Sequence, residues 1–400
     1  MKRLVAAVAT TVAVVVLFNL LYNSPNSQDI LNPYPAFTQS YPSGKLVIFW
    51  TSFFGTEDYG VGLGNEPFHN CPVDQCFTTT DRSLLNQSDA LIFHPRDIKL
   101  NDLPQHRLAH QRWIFYNLEP PYIPFTSFDP HLLENLSGVF NWTMTYRKDS
   151  DVYNPYSGSL NGHFPTFSDP MTGKKEKKVA WFVSNCRSFS GRELYVEQLK
   201  KYINVDIYGA CGPHKCRSRE SCYQMLSRDY KFYLSFENSL CRDYVTEKFF
   251  NILNHRVVPI VYGSANYSTF ITKDAYIDVN DFSSAKHLAS YLNFLDANDT
   301  AYERYFEWRQ NPSSYRQLPR EQSSFCQLCA ILHDDSLPSK TYENIHKWWY
   351  EEANCITSMS LNTSVVTRVF IMLLIIFIAF GLVYVRFRRV NRSSDKCLIY

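Results

Sequence analysis

The sequence predicts an α/β protein of two domains, held between two apolar segments. Three observations carry this reading. Short runs rich in β-branched and aromatic residues recur at 46–50, 90–94, 112–118 and 140–146, with helical or irregular stretches between them. A second series follows at 179–184, 205–208, 231–236 and 257–262. Between the two series lies a Gly-, Pro- and Ser-rich interval, 154–173, followed by the charge run Lys174-Lys175-Glu176-Lys177-Lys178. Such a run is solvated and marks a boundary between a first domain, 45–173, and a second, 174–355. Val257-Val258-Pro259-Ile260-Val261, closing on Gly263, fits a parallel strand buried on both faces. Four hundred residues at 45% hydrophobic composition suffice for two cores, and no internal repeat is visible.

The chain ends are more specific. Residues 4–22 are uncharged and mostly apolar, follow Lys2 and Arg3, and approach the ~20 residues a spanning helix needs. No small-residue cleavage site follows, so the segment reads as an uncleaved anchor rather than a signal peptide, with residues 1–3 cytosolic. Residues 23–44, rich in Pro, Ser and Asn, read as a stem. A second apolar stretch, 369–385, is trailed by Arg386, Arg388, Arg389 and Arg392 in a basic tail, 386–400. The positive-inside rule places that tail in the cytosol as well. Two transmembrane helices, two cytosolic termini and a lumenal body are therefore expected, with the lipid bilayer as a partner. A net charge of +2 gives no reason to expect nucleic acid.

Asn86, Asn135, Asn141, Asn266 and Asn298 each open an N-x-S/T triplet suited to lumenal glycosylation. Asn362 lies close to the second apolar stretch, and Asn391 falls in the cytosolic tail with Cys397. Ten lumenal cysteines remain: Cys71, Cys76, Cys186, Cys211, Cys216, Cys222, Cys241, Cys326, Cys329 and Cys355. An even set in an oxidising compartment reads as disulfides. A four-cysteine zinc site at Cys71, Cys76, Cys326 and Cys329 is the alternative. No metal is expected.

Chemistry is concentrated in one stretch. Residues 230–239 pass from an aromatic, strand-like segment into a polar turn, and 243–248 lead into a helix-like segment bearing Phe249, Phe250, Ile252 and Leu253. In a strand–loop–helix unit that turn is where an anion is held. FYLSFENS at 232–239 and DYVTEK at 243–248 together resemble the signature of the α1,3-fucosyltransferases, glycosyltransferase family 10, which move fucose from GDP-fucose to a glycan. The resemblance covers residues 45–355. It implies the GT-B plan of two Rossmann-like domains facing a cleft, and residence in the Golgi membrane. It further implies a tie between an N-terminal cysteine pair and a C-terminal CxxC, for which Cys71/Cys76 and Cys326/Cys329 are the two halves. The second apolar segment departs from the family's usual single-anchor layout.

Sugar transfer from a nucleotide diphosphate requires that the leaving diphosphate be neutralised, the acceptor hydroxyl deprotonated and the cationic sugar supported. Lys248 opens the helix-like segment after the signature, where its ammonium adds to the positive end of the helix dipole, and Arg192, after Val183-Ser184-Asn185, stands where the resemblance places a diphosphate-binding arginine. The resemblance assigns Tyr244 and Glu247 to the guanosine ribose, with Ser235 and Asn238 lining the same pocket. Glu119 ends the strand-like run 113–118, precedes Pro120-Pro121, and matches the catalytic base in the family's Trp…Asn-Leu-Glu-Ser-Pro element. Pro120 stands where the family commonly has serine. Asp149-Ser150-Asp151 has the DxD form of metal-dependent glycosyltransferases, but two aspartates so spaced are common and these lie in the first domain. No cofactor is required beyond GDP-fucose as donor substrate, with room for stimulation by a divalent cation. A single base without a second carboxylate nucleophile predicts an inverting single displacement.

Three features point to an acceptor. Asp206-Ile207-Tyr208-Gly209-Ala210-Cys211-Gly212, the Cys216/Cys222/Cys241 set and the tail from Cys326-Gln327-Leu328-Cys329-Ala330 to Trp348-Trp349 resemble the invertebrate and plant members. Those enzymes fucosylate the innermost, Asn-linked GlcNAc of N-glycans on glycoproteins. Lewis-type members, acting on outer GlcNAc, are the alternative. A catalytically silent glycan-binding relative is a third reading, which the presence of Glu119, Arg192 and Lys248 disfavours.

Overall fold

The apolar runs fold as parallel strands in two separate sheets. The structure, a computed structural model, describes residues 44–121, 130–156, 175–315 and 323–356. The expected spans at 4–22 and 369–385, the stem before Gly44, and Asn362, Asn391 and Cys397 lie outside the described residues. No helix among the described residues is long and apolar enough to cross a membrane.

The first sheet comprises β1 (Lys45–Phe49), β2 (Cys76–Thr79), β3 (Ala90–Phe93), β4 (Arg112–Asn117), β5 (Trp142–Thr145) and β6 (Val152–Tyr153), in the order β2-β1-β3-β4-β5-β6. The second comprises β7 (Lys177–Phe182), β8 (Val205–Tyr208), β9 (Tyr230–Phe236), β10 (Val258–Tyr262) and β11 (Ile277–Asp278), in the order β11-β10-β9-β7-β8. Every named strand pair is parallel. Counted from its own first strand, each sheet is wound 2-1-3-4-5, the first adding one strand more. The winding recurs while the residues do not, which is why no repeat shows in the sequence. In this order the connections diverge between β1 and β3, and again between β7 and β9, and open a crevice at the strands' carboxyl ends.

Both faces of each sheet are covered, so the strands read as unbroken apolar runs. In β4, Ile114 and Tyr116 enter one core cluster while Trp113 and Phe115 enter the other. All seven residues of β9 are buried. The Ala285–Ala297 helix starts at Ser284, whose side chain accepts from the His287 N–H, and lays Leu288, Leu292 and Leu295 against Phe232, Leu234 and Ile260. β2, β6 and β11 were not among the expected strands; the last two are two residues each, too short for a periodic signal.

One boundary differs from expectation. Residues 323–356, assigned to the second domain from their position in the chain, pack on the first sheet. Phe325, Leu328 and Leu332 of the Ser324–Leu332 helix join Val47, Phe49 and Ile114 on one face. Ile345, Trp348 and Trp349 join Ile48, Leu91 and Phe115 on the other. Neither face would be dry without this return. The disulfides Cys71–Cys326 and Cys76–Cys329 staple it, Cys241–Cys355 ties its end to the loop after β9, and Cys186–Cys211 and Cys216–Cys222 sit in the second domain. The four thiolates that the zinc alternative needs are therefore joined as two disulfides. Replacing Cys71, Cys76, Cys326 and Cys329 together by serine is expected to lower stability by about 2–5 kcal/mol, because only loss of both bridges releases the long loop in the unfolded chain. Denaturant unfolding measures this; a loss under ~0.5 kcal/mol would show that packing alone holds the return.

Candidate active site

The crevice between β7 and β9 is a cleft of about 770 Å³. Its walls come from the ends of β7 and β8, the loop and helix that follow β8, and the turn after β9. Arg192, Lys215, Arg219 and Lys248 line it against a single carboxylate, Glu247, and Phe182, Tyr208 and Tyr223 add aromatic surface. Excess positive charge beside aromatic rings suits an anion that carries a flat group, as a nucleoside diphosphate does.

Arg192 is held in place before any ligand arrives. Gly191 precedes it at φ 70°, the left-handed conformation that glycine adopts without strain. The side chain is 2% exposed; Nη1 donates to the Phe236 carbonyl at 2.8 Å, Nη2 to the Asn185 carbonyl at 3.0 Å and Nε to Glu193 at 3.2 Å. Those bonds use three of the five N–H donors an arginine carries. Ser190 N–H donates to the Asn238 carbonyl at 3.2 Å and so ties the arginine loop to the signature turn. Asn238 Oδ1 and Ser235 Oγ are buried without a hydrogen-bond partner among the described residues. Only Asn238 of these two reaches the cleft wall; Ser235 lies within β9.

Lys248 is set by a compact network. Glu237, fully buried, accepts from Thr246 N–H at 2.8 Å and Thr246 Oγ1 at 2.9 Å, and its Oε2 lies 3.5 Å from Lys248 Nζ. Lys248 Nζ also reaches Thr246 Oγ1 at 2.9 Å and Glu247 at 3.2 Å. Burial pushes the Glu237 carboxyl up while the Lys248 ammonium opposes it. Burial alone would lower Lys248, yet Glu237 and Glu247 hold it above its ordinary value. The ammonium therefore stays charged at the cleft wall.

Tyr244 is placed differently from the ribose-holding role. At 2% exposure it belongs to the core cluster of the first sheet, edge-on to Tyr146 at 4.9 Å and to Tyr156 at 6.2 Å, and is not among the cleft-lining residues. The Cys241–Cys355 disulfide and Asp243, at φ 61°, turn the chain toward that core just before it. Tyr244 thus packs the two domains together.

Glu119 lies two residues beyond β4, at the carboxyl edge of the first sheet. Its N–H donates to Asn117 Oδ1 at 3.0 Å, and the neighbouring Leu118 carbonyl accepts from Tyr156 Oη at 2.7 Å. Burial raises its carboxyl above the ordinary value; the charges of Lys248 and Arg96 oppose the rise and Glu247 adds to it. Glu119 is thus a partly buried carboxylate in the field of the second domain's Glu247-Lys248 pair. The DxD-like aspartates are occupied otherwise. Asp149 pairs with the buried Arg147 at 2.6 Å and with Arg242 at 3.4 Å; burial pushes its carboxyl up, but these guanidiniums hold it below its usual value. Asp151 accepts from Thr143 N–H and Tyr342 Oη and pairs with Lys340.

Four further groups were absent from the expected set. Lys215 and Arg219 reach the cleft from the turn after β8 and the helix beyond it. His94 and Asp97 follow β3 at the first sheet's carboxyl edge, 2.6 Å apart. The available signal was position, since each follows a strand beside a crevice. Among the sequons, Asn86, Asn135 and Asn266 are exposed and Asn298 half-buried. Asn141 is 3% exposed, its Oδ1 accepting from Trp113 N–H and its Nδ2 donating to the Lys340 carbonyl, so the fold has no place for a glycan there.

Residues 42–157 match the family profile described as "Fucosyltransferase, N-terminal", and residues 172–348 that of "Glycosyltransferase family 10 (fucosyltransferase) C-term". The chain is 37% identical over 342 residues to alpha-(1,3)-fucosyltransferase C of Drosophila melanogaster, covering 77% of this chain and 78% of the relative. It belongs to glycosyltransferase family 10, the α1,3-fucosyltransferases. This fucosyltransferase is also 36% identical to glycoprotein 3-alpha-L-fucosyltransferase A of Drosophila melanogaster, over 84% of this chain and 68% of that one. It is 38% identical to the human 4-galactosyl-N-acetylglucosaminide 3-alpha-L-fucosyltransferase FUT5, over 78% and 81%. A crystal structure of an alpha1,3-fucosyltransferase with GDP-fucose aligns at a TM-score of 0.51 and 16% identity, over 78% of this chain and 96% of that one, which is a likeness of fold.

Proposed function

We propose that this α1,3-fucosyltransferase transfers L-fucose from GDP-β-L-fucose to the innermost, Asn-linked GlcNAc of N-glycans, by an inverting single displacement. The observation that carries the mechanism is the pairing of one partly buried carboxylate, Glu119, with a four-cation cleft across the domain crevice. Arg192 and Lys248 take the diphosphate and stabilise the charge that grows on it as the bond to fucose breaks. Glu119 accepts the proton of the GlcNAc 3-hydroxyl while its oxygen bonds to fucose C1, and GDP departs from the opposite face. Asn238 and Glu247 supply polar contacts to the nucleoside at the cleft wall. No cofactor enters these steps. Chelation of divalent cations is accordingly expected to leave most of the turnover in place, and its complete loss in chelator would overturn that part of the reading.

The innermost GlcNAc is favoured by the three sequence features shared with the invertebrate and plant members and by the glycoprotein enzyme among the relatives. The human relative favours the second reading, outer GlcNAc. Incubation of the full chain with GDP-fucose and two acceptors, an N-glycan with unsubstituted core GlcNAc and an N-acetyllactosamine oligosaccharide, distinguishes them. Addition of one deoxyhexose to the reducing-end GlcNAc is expected, located by fragmentation. Fucose on lactosamine alone would transfer the enzyme to the Lewis type, and no product on either would make it a silent relative.

The site of action is the Golgi lumen, with both termini in the cytosol. Five disulfides support an oxidising compartment. Tags at either end should be reached by antibody after selective permeabilisation of the plasma membrane; protection of the C-terminal tag would remove the second span.

A further inference from the structure

Four cations line the nucleotide cleft, and the protein itself engages three of them. Arg192 donates to Phe236, Asn185 and Glu193, and Lys248 is held by Glu237, Glu247 and Thr246. Lys215 Nζ donates to the Gly209 and Gly212 carbonyls of the turn after β8. The side chain of Arg219 makes no hydrogen bond and no ion pair among the described residues, yet it lines the cleft. Its mount is well tied. Ser218 and Ser221 exchange side-chain to backbone bonds that cap the Arg219–Asp229 helix, and Cys216–Cys222 closes the turn around its start. Arg219, Cys222 and Tyr223 recur at helical spacing and all line the cleft, so one helix face forms this wall. The Arg219 guanidinium carbon stands 5.9 Å from the centre of the Tyr223 ring. That ring stacks on His255 at 4.7 Å, and its hydroxyl accepts from Asn251 Nδ2 at 3.2 Å.

The cleft has a direction. Arg192 follows β7 and Lys248 follows β9, which are neighbours in the sheet, whereas Arg219 follows β8, at the sheet edge beyond β7. The Glu119 carboxyl feels the charges of Lys248 and Glu247, so the sugar end of the donor belongs on that side. With the diphosphate on Arg192 and Lys248, the nucleoside runs toward β8 and brings its base to the wall that Arg219 occupies. An arginine fork matches guanine there, because O6 and N7 are two acceptors side by side. Adenine places an N6 donor where guanine has O6, and a guanidinium has nothing to accept it with.

We propose that Arg219 selects the base of the donor nucleotide, two of its N–H groups donating to O6 and N7 of guanine. The proposal rests on the GDP-fucose reading above and names the residue that makes the site specific for it. Binding of GDP, 7-deaza-GDP and ADP to the detergent-solubilised full chain tests it. GDP should bind about 10–100-fold tighter than ADP, the scale of one bidentate arginine–guanine pair. 7-Deaza-GDP, which lacks the N7 acceptor, should fall between them. Arg219→Ala should bring GDP down to the level of ADP while ADP affinity stays. Arg219→Lys keeps the charge but loses the fork, and should do the same. The KM for GDP-fucose should rise by the same factor with kcat retained, because the diphosphate cations and Glu119 are untouched. Both variants should keep the wild-type unfolding midpoint, since the exposed side chain holds no other part of the fold. Equal losses for all three nucleotides would make Arg219 a phosphate ligand. Selectivity for GDP unchanged in either variant, or 7-deaza-GDP bound by the wild type as tightly as GDP, would remove the fork from the base. Each of these results overturns the proposal alone, whereas a wild-type chain that binds GDP no tighter than ADP overturns the GDP-fucose reading with it.

Discussion

Glu119→Gln is expected to lower kcat by about 10²–10⁴-fold, the usual contribution of a general base, while GDP affinity is retained. The substitution keeps the size of the side chain but removes the group that takes the proton. The nucleotide cleft belongs to the other domain, which is why binding should persist. Wild-type turnover should also report the raised carboxyl. Because only the ionised form accepts a proton, activity is present above the Glu119 pKa and lost as pH falls through it. Burial places that loss above the ordinary carboxylate range, with Lys248 and Arg96 limiting the shift. Glu119→Gln should abolish the acid limb along with the rate. Measuring GDP binding and transfer on one preparation decides the matter. Intact transfer would remove Glu119 from the mechanism, and loss of GDP binding would make it a structural residue.

Arg192→Lys and Lys248→Met are each expected to cost about 10²–10³-fold in turnover, the scale of removing one preorganised donor from a developing charge. Lysine keeps the charge at position 192 but cannot span the Phe236 and Asn185 carbonyls while offering a fork to the diphosphate. The two variants should differ in stability. Lys248→Met leaves Glu237 buried without its cation, so that carboxyl moves up further and the protein loses stability at neutral pH, less so where Glu237 is protonated. Adding Glu237→Gln to Lys248→Met should recover stability without recovering turnover. If stability and turnover return together, Lys248 serves the loop and does not touch the diphosphate.

The elements legible in the sequence were those whose signal is local. Residues 231–236 and 257–262 read as strands because a parallel strand covered on both faces is apolar throughout, and β9 and β10 are covered in that way. Glu119, Arg192 and Lys248 were singled out from motifs beside strand ends, and the structure lines the cleft with Arg192 and Lys248 and sets Glu119 two residues beyond β4. The short motif around Glu237 carried its own scaffold, since the carboxylate, Thr246 and Lys248 all lie within twelve residues.

What only the tertiary structure decided involves partners far apart in the chain. The return of 323–356 to the first sheet depends on Val47, Ile48 and Phe115, and no local pattern says which of two cores an apolar helix will cover. Three of the five cysteine pairings follow from that return, while Cys186–Cys211 and Cys216–Cys222 close short loops in the second domain. Tyr244, expected at the guanosine ribose, is buried in the core of the first sheet edge-on to Tyr146. Asn141, a sequon to the eye, became a buried strut between Trp113 and Lys340. Strand patterning determined the two-domain α/β plan, and the resemblance of the signature motifs pointed to the family, because both are properties of neighbouring residues. Burial and pairing across hundreds of residues decided the rest, because the free energy of a contact depends on what the fold places opposite it.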